Sequence, residues 1–285
     1  MIVGGAFRKF PIRAFAAIVF GFFVAGCREP QPRRETTAEK LPPYPAAPAT
    51  APAPGVPADP PRLPVAGRTV ILDAGHGGAD AGASWNGLRE KDITLDLALR
   101  TAAVLRAGGV NVLFTRRTDV FVPLPERSAF ANRHPDAAFV SIHVNASEKN
   151  AAAAGVETFV LAATRNDAER GRAAAGQYRV RGDDSGKSGE ILASLAARCR
   201  YRGEALAEAV QRRLAARLAV PDRGVKRADF AVLRETYFCS AVLVEVGFIS
   251  HSPTAAAMRT GEWRQRTAEA LGEGIIDFLG RPDGG

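Results

Sequence analysis

The chain of 285 residues contains only three cysteines, at positions 27, 199 and 239. No two of them stand at the short paired spacing that a zinc–thiolate site uses, which argues against a site of that kind. Cys199 and Cys239 are the only pair available for a disulfide in a processed chain. Nothing in the sequence shows that they meet, so one disulfide and two buried free thiols both remain open.

A concentrated excess of charge is also missing. The net charge is +8, but residues 1–66 hold 8 basic and 4 acidic side chains, and the remaining 219 residues hold 30 and 26. An excess of four positive charges, spread over so many residues of both signs, is too weak to indicate a nucleic-acid-binding surface. Nucleic acid is therefore not an expected partner.

No apolar run near the N-terminus is long enough for a comfortable transmembrane helix. The run Ala14–Val24 has 11 residues and follows three basic residues, Arg8, Lys9 and Arg13. This pattern predicts a signal peptide over residues 1–26. Its end, Val24-Ala25-Gly26-Cys27, resembles the lipobox of bacterial lipoproteins, which implies that Cys27 becomes the lipid-bearing first residue. The alternative is ordinary secretion with cleavage near Ala25-Gly26, and either interpretation exports the protein.

Residues 27–66 lack the composition of a folded domain. Of the 19 prolines in the chain, 12 fall between Pro30 and Pro64. Such a segment cannot build a core and is predicted to be an extended tether, partly in the polyproline II conformation. Forty such residues would reach on the order of 100 Å from a membrane anchor.

From Gly67 onward, apolar strand patterns alternate with helical ones, and no internal repeat is present. Strands are predicted at 68–73, 110–114, 137–144, 156–162, 230–233 and 241–249. Helices are predicted at 90–107, 124–134, 204–218 and 254–279, the last broken near Gly261. Residues 67–285 are therefore expected to form one α/β domain, with helices on both faces of a largely parallel sheet.

The segment 163–201 fits this pattern least well, because it is rich in Arg, Gly, Asp and Ser before it turns helical at 191–198. Insertions of this length inside a domain are usually functional flaps or disordered. The segment is predicted to be a flap or a regulatory insertion.

Four ionisable residues stand out: His76 follows the first predicted strand, Glu90 opens the first helix, His143 lies near the end of the third strand, and Glu245 lies in the last strand. The carboxyl ends of strands in an open α/β sheet line a common crevice, so these side chains are expected to converge. Two imidazoles and one carboxylate are an established ligand set for catalytic zinc. Each residue alone has a simpler structural explanation, but one metal ion removes the need for three of these. The remaining carboxylate, Glu245, lies inside an apolar strand and needs a positive partner.

The motifs around these residues resemble the zinc-dependent N-acetylmuramoyl-L-alanine amidases of bacterial cell walls. The resemblance rests on VILDAGHGGADAGA with Glu90, on TRRTDVFVPLPERSAFAN, on FVSIHVNAS and on VLVEVGFIS, in that order. It implies a mixed six-stranded sheet, one Zn²⁺ ion bound by His76, Glu90 and His143, and Glu245 as the catalytic carboxylate. It further implies peptidoglycan as substrate, cut between N-acetylmuramic acid and L-alanine for cell separation or wall turnover.

Two other classes of function stay open at this point. The domain is alternatively a non-catalytic peptidoglycan-binding lipoprotein, although a binder need not keep all four residues. A zinc peptidase acting on the stem peptide would share the metal chemistry and differ only in its products. In all three cases the predicted location is the periplasm, anchored to a bacterial membrane through Cys27.

Some relatives carry a helix at the position of 163–201 that blocks the zinc until a partner protein removes it. This likeness implies that Glu190 occupies the water position and that a protein activator exists. The alternative is a substrate-facing flap.

The remaining polar candidates have weaker signals. Asn145 is a candidate substrate contact, and Asp73 either orients a metal ligand or caps a turn. Three arginines, at positions 116, 117 and 127, are expected to form ion pairs rather than to meet substrate carboxylates. His134 and His251 are assigned to structural roles.

Overall fold

Six strands form a mixed sheet in the computed structural model, which describes residues 64–162 and 187–281. The predicted signal peptide, nearly all of the tether and residues 163–186 lie outside the described residues. The strands of the sheet are β1 (Thr69–Ala74), β4 (Asn111–Phe114), β5 (Ala138–Asn145), β6 (Val156–Leu161), β7 (Asp222–Ala228) and β8 (Ser240–Phe248). Two further strands, β2 (Ser84–Trp85) and β3 (Leu88–Arg89), form a separate short hairpin.

The strand order in the sheet is β4-β1-β5-β8-β6-β7. Strands β4, β1, β5 and β8 run parallel to one another, β6 is antiparallel to β8, and β7 is parallel to β6. The carboxyl ends of β1, β5 and β8 therefore lie at one edge of the sheet, together with the start of β6. The prediction of a mixed, largely parallel six-stranded sheet is confirmed.

Helices cover both faces of the sheet. They are α1 (Glu90–Ala107), α2 (Leu124–Asn132), α3 (Lys187–Leu218), α4 (Ala231–Arg234), α5 (Ser252–Met258) and α6 (Gly261–Leu279). The larger core joins the sheet to α1, α3 and α6, through residues such as Val140, Leu97 and Leu206. A smaller core, which includes Phe139, Ala131 and Leu233, joins the other face to α2 and α4.

Alternation along the strands decides which side chains share the smaller-core face. Ile71, Phe139 and Leu243 pack in that core, and residues two and four positions further along each strand point the same way. Asp73, His143 and Glu245 are such residues. The short helices α2 and α4 cover only the apolar half of this face. The half toward the carboxyl ends of β1, β5 and β8 carries these three polar side chains.

One element predicted in the C-terminal half is wrong, and one strand there was not predicted. The predicted strand at 230–233 is the short helix α4, whose Val232 and Leu233 enter the smaller core. The sixth strand is instead β7, which the sequence conceals. Its residues are Asp-Arg-Gly-Val-Lys-Arg-Ala at an edge of the sheet, so neither an apolar run nor clear alternation marks it.

The two helices predicted at 191–198 and 204–218 are one continuous helix, α3. Gly203 lies inside it, and a Cβ atom there would stand 3.3 Å from the carbonyl oxygen of Ala241. The glycine is therefore a point of close approach between helix and sheet rather than a break. The predicted break near Gly261 is confirmed, since α6 begins there with the Thr260 side chain accepting a hydrogen bond from the Trp263 amide, 3.1 Å away.

Cys199 and Cys239 are both buried and free of a disulfide. Burial raises the pKa of the Cys199 thiol to about 11, so it stays protonated at neutral pH. Among the described residues, no helix has both the length and the apolar character needed to cross a bilayer.

Candidate metal centre

Three predicted ligands meet at the carboxyl ends of β1 and β5. His76 follows β1, His143 lies near the end of β5, and Glu90 is the first residue of α1. One donor atom from each of them lies within 4.8 Å of the others. The Nε2 atom of His76 is 3.2 Å from Oε2 of Glu90, and the Nδ1 atom of His143 is 2.9 Å from Oε1 of Glu90. The fold thus brings together His76 and Glu90, which are 14 positions apart in the sequence, and His143, which is 53 positions after Glu90.

Glycines make this convergence possible. A Cβ atom on Gly75 would stand 2.4 Å from the His143 ring, and one on Gly82 would stand 2.6 Å from Oε2 of Glu90 and from the His76 ring. Contacts this short cannot be accommodated without moving the ligands. Glycine at these two positions therefore leaves room for the imidazoles and the carboxylate.

Glu90 is held in its charged form. Its two oxygens accept hydrogen bonds from the amides of Val144 (2.9 Å) and Ala83 (2.8 Å), in addition to the contacts with both histidines. Burial alone would raise the pKa of this carboxyl group, but the hydrogen bonds to His143 and His76 and their charges lower it well below its ordinary value. A carboxylate that stays ionised is a ready metal ligand.

The orientation of His76 is fixed from behind by Asp80, whose Oδ2 lies 2.8 Å from Nδ1 of His76. This contact leaves Nε2 as the nitrogen that faces Glu90. Burial tends to lower the pKa of His76, but Glu90 and Asp80 together raise it above its usual value. Sequence analysis missed Asp80, although its position four residues after His76 within the HGGAD turn is a local signal.

The backbone of His76 is strained, with φ at 60° in the left-handed region. Arg127 stabilises this conformation, because its Nη2 donates to the His76 carbonyl oxygen at 2.8 Å. Asp73 in turn accepts from Nη1 of Arg127 at 2.7 Å, and both side chains are buried. Asp73 therefore neither contacts a ligand directly nor caps a turn, but acts on His76 through Arg127.

The other two arginines are also occupied. Arg116 is buried and donates to the carbonyl oxygens of Ala74 and Gly75, each 2.8 Å away. Arg117 stacks over the Phe114 ring, 5.3 Å from its centroid. Among the described residues, the predicted ion pair is found for Arg127 and not for Arg116 or Arg117.

Glu245 lies on β8 directly between His143 on β5 and Glu157 on β6, with which it is in register. Among the described residues, none donates a hydrogen bond to its Oε2 atom, and this atom is inaccessible to solvent. Burial and the nearby carboxylates of Glu90 and Glu157 raise the pKa of Glu245 well above its ordinary value. Among residues 64–162 and 187–281, nothing donates to this oxygen, and the described neighbours that shift the pKa of Glu245 are carboxylates rather than cations.

A zinc ion fits these residues. Two imidazole nitrogens and a carboxylate are the donor set of many catalytic zinc sites. An orphaned buried carboxylate oxygen beside that set is the group that a cation would stabilise.

Asn145 is near the centre but is already engaged, because its Nδ2 donates to Oε1 of Glu157 at 2.7 Å. Sequence analysis also missed Glu157, a buried carboxylate on β6. Burial alone would raise the pKa of Glu157, but hydrogen bonds from Lys226 and Arg223 lower it below its usual value. Nothing in the local sequence marks Glu157 as a site residue. Its cationic partners lie on β7, a strand that the sequence does not reveal.

Glu190 does not lie with the metal ligands. It is exposed in the first turn of α3, and the next turns of that helix, through Leu192 and Leu195, pack against Tyr237 and Phe238. Those aromatic residues precede β8, at the end of the sheet opposite to His143 and Glu245. The prediction that Glu190 occupies the water position is therefore not met in this structure.

His134 and His251 lie outside the metal cluster, as predicted. The His134 ring packs on Phe130, with 5.1 Å between ring centroids. The Nδ1 atom of His251 is 2.8 Å from the Thr254 hydroxyl in the first turn of α5. The predicted lipidation site, Cys27, lies outside the described residues.

Comparison with known proteins gives consistent matches. Residues 70–277 match the family described as Amidase_3, N-acetylmuramoyl-L-alanine amidase. The chain is 30% identical over 228 residues to the N-acetylmuramoyl-L-alanine amidase AmiA of Escherichia coli, covering 74% of this chain and 76% of AmiA. It is 32% identical over 217 residues to the N-acetylmuramoyl-L-alanine amidase LytC of Bacillus subtilis, covering 76% of this chain but only 36% of LytC.

The solved structures agree. An N-acetylmuramoyl-L-alanine amidase of Nostoc punctiforme superposes with a TM-score of 0.58 at 30% identity, covering 75% of this chain and 98% of that one. The family match over residues 70–277 includes all four predicted site residues, His76, Glu90, His143 and Glu245.

Proposed function

Because the chain belongs to the N-acetylmuramoyl-L-alanine amidase family, we propose that it uses one zinc ion to hydrolyse the amide bond between N-acetylmuramic acid and L-alanine in peptidoglycan. The observation that carries this proposal is the convergence of His76, Glu90 and His143 within 4.8 Å. The adjacent carboxylate of Glu245, which has an orphaned oxygen, adds the group that hydrolysis needs.

The ion would be held by His76, Glu90 and His143, and when bound it would acidify a water molecule and polarise the amide carbonyl. Glu245 accepts the proton of the attacking water and delivers it to the departing nitrogen of L-alanine. Acid–base work of this kind typically contributes about 10²–10⁴ in rate. Because no described residue donates to its Oε2 atom, this oxygen is available for the transfer.

The surrounding residues keep the ligands in place. Asp80 holds the His76 ring, Arg127 holds the His76 backbone, and the amides of Ala83 and Val144 hold Glu90. Loss of such a supporting contact typically lowers metal affinity or activity by about 10- to 100-fold.

Removal of the metal tests this proposal. Protein treated with chelator is expected to lose the ability to solubilise purified peptidoglycan, and one equivalent of Zn²⁺ is expected to restore it. Full activity of the metal-free protein would contradict the proposal. A protein that binds peptidoglycan but never solubilises it, with or without Zn²⁺, would support the binding-only alternative.

We further propose that the protein is exported to the periplasm and anchored to a bacterial membrane through a lipid on Cys27. Residues 27–66 would then serve as a tether. The basic and apolar segments before Cys27 support this location. In such a place the enzyme would act on the wall during cell separation or turnover. Labelling with a radioactive fatty acid is expected to mark the wild type and not the Cys27→Ser variant, and equal labelling of both would contradict the anchor.

A further inference from the structure

A second charged cluster adjoins the proposed catalytic carboxylate. Glu157 on β6 is in register with Glu245 on β8, so both side chains lie on the same face of the sheet. Oε2 of Glu157 accepts hydrogen bonds from Nε of Arg223, 2.6 Å away, and from the amino group of Lys226. Both cations belong to the edge strand β7, next to β6.

The cluster holds more positive than negative charge. Two cations share the single carboxylate of Glu157, whose other oxygen accepts from Asn145. Glu157 is 3% exposed, whereas the side chains of Arg223 and Lys226 are each 37% exposed. The three charged side chains of this cluster, all among the described residues, thus carry a net charge of +1, and both cations reach solvent.

Stability alone does not account for this arrangement. Replacing a buried ion pair by apolar residues of similar volume is often neutral or stabilising. An apolar residue at position 157 would continue the smaller-core face that Phe159 and Leu243 already form. The buried carboxylate instead fixes two long cationic side chains at the open end of the face that carries the metal ligands.

The position of the cluster matches the geometry of an extended peptide. Neighbouring strands are about 4.8 Å apart, so β7 lies roughly 10 Å from β8 across the sheet. An extended peptide advances about 3.5 Å per residue. A carboxylate on the second residue beyond the cleaved bond would lie about 7 Å from that bond. The long side chains of Arg223 and Lys226 would span the rest of the distance between this carboxylate and β7.

We propose that Arg223 and Lys226, fixed by Glu157, bind a free carboxylate of the peptidoglycan stem peptide and thereby direct the peptide from Glu245 toward β7. This inference rests on the proposed function, because it assumes that the peptide leaves from the amide bond at the metal centre. A carboxylate is the appropriate ligand because Arg and Lys both form charge-assisted hydrogen bonds with it. The remaining positive charge of the cluster is the one that the peptide neutralises.

The test compares two soluble muropeptides that differ in one group: the α-carboxylate of the second stem residue is free in one and amidated in the other. Wild-type protein loaded with Zn²⁺ is expected to cleave the free acid with the higher kcat/KM. Arg223→Gln and Lys226→Gln are each expected to lower kcat/KM for the free acid about tenfold, mainly through KM, and to leave the amide nearly unchanged. Cleavage of the amidated muropeptide by the wild type would show that the enzyme is active, independently of any preference.

Arg227 provides a matched control on the same strand. It alternates with Lys226, so it points to the other face, where its Nη2 donates to Glu204 at 2.6 Å. Arg227→Gln removes the same charge and is expected to leave kcat/KM unchanged for both muropeptides. Lys226→Arg is expected to keep the preference for the free acid, because the positive charge is retained.

Three results would overturn the inference: equal cleavage of both muropeptides by the wild type, an equal loss for both in the Gln variants, or an equal effect of Arg227→Gln. The melting temperature of each variant separates a loss of folding from a loss of binding. If wild-type protein cleaved neither muropeptide nor intact peptidoglycan, the proposed function itself would be contradicted.

Discussion

At the scale of single residues, catalysis is predicted to depend on Glu245, a partly buried carboxylate near those of Glu90 and Glu157. Glu245→Gln removes the proton acceptor while leaving His76, Glu90 and His143 intact. The variant is expected to lose at least about 10²-fold in peptidoglycan hydrolysis and to retain close to one equivalent of zinc. Activity assays and metal analysis on the same sample would check both expectations.

The matched control is His76→Ala, which is expected to lose zinc and activity together, because a ligand is removed. If Glu245→Gln kept wild-type turnover, Glu245 would not be the catalytic base. If it lost its zinc, its role would be that of a ligand.

Gly75 offers an independent residue-scale prediction. Its alanine variant would place a Cβ atom 2.4 Å from the His143 ring, so this ring must move. Gly75→Ala is expected to reduce zinc stoichiometry and activity, whereas Gly261→Ala, where a Cβ atom meets nothing within 4 Å, is expected to leave both unchanged. The zinc content of both variants, measured at a fixed free Zn²⁺ concentration, tests this prediction. A full equivalent of zinc in Gly75→Ala would contradict the close approach of Gly75 to the His143 ring.

Sequence reasoning reached the residues whose chemistry is unusual for their surroundings. His76, His143 and Glu245 are polar groups at the ends of apolar strands or inside one, and Glu90 opens a clear helix. Asp80 and Glu157 were missed, because an Asp in a glycine-rich turn and a Glu at the start of a strand look ordinary until their partners are known. The partner of Asp80 is only four residues away in the same turn, whereas the partners Arg223 and Lys226 of Glu157 become visible only when β7 is placed in the sheet.

At the scale of elements, the predictable parts are those with a strong period. The helix 90–107 was predicted with the observed bounds because its apolar side and terminal glycines are clear. Strand β7 was missed because charged residues dominate it, and the sheet rather than its own sequence determines its conformation. The same lack of local signal concealed the continuity of α3 through Gly203.

The first turns of α3 allow a prediction about regulation. Leu192 and Leu195 pack against Tyr237 and Phe238, at the end of the sheet away from the metal ligands. Deletion of residues 185–199 is therefore expected to lower the melting temperature, because these contacts are lost, without raising activity on purified peptidoglycan. An increase in specific activity would instead support autoinhibition by this segment.

At the scale of the whole molecule, the metal centre links separate parts of the chain. The ligands come from the loop after β1, the start of α1 and the end of β5. A ligand that binds only the folded state stabilises it, by about 4 kcal/mol at a thousandfold excess over Kd. Zn²⁺ is expected to raise the melting temperature of the wild type by several degrees and to have no such effect on His76→Ala.

Calorimetry with and without chelator would measure this shift. An equal shift in both proteins would indicate that zinc binds elsewhere, and no shift in the wild type would argue against a preformed site.

The most direct test of the central claim is mass analysis of the fragments released from purified peptidoglycan by the zinc-loaded protein. The account predicts intact stem peptides that begin with a free L-alanine amine, together with glycan strands that have lost their peptides, and none of these products in the presence of chelator. Shortened stem peptides still attached to the glycan, or release that is unaffected by chelator, would contradict it.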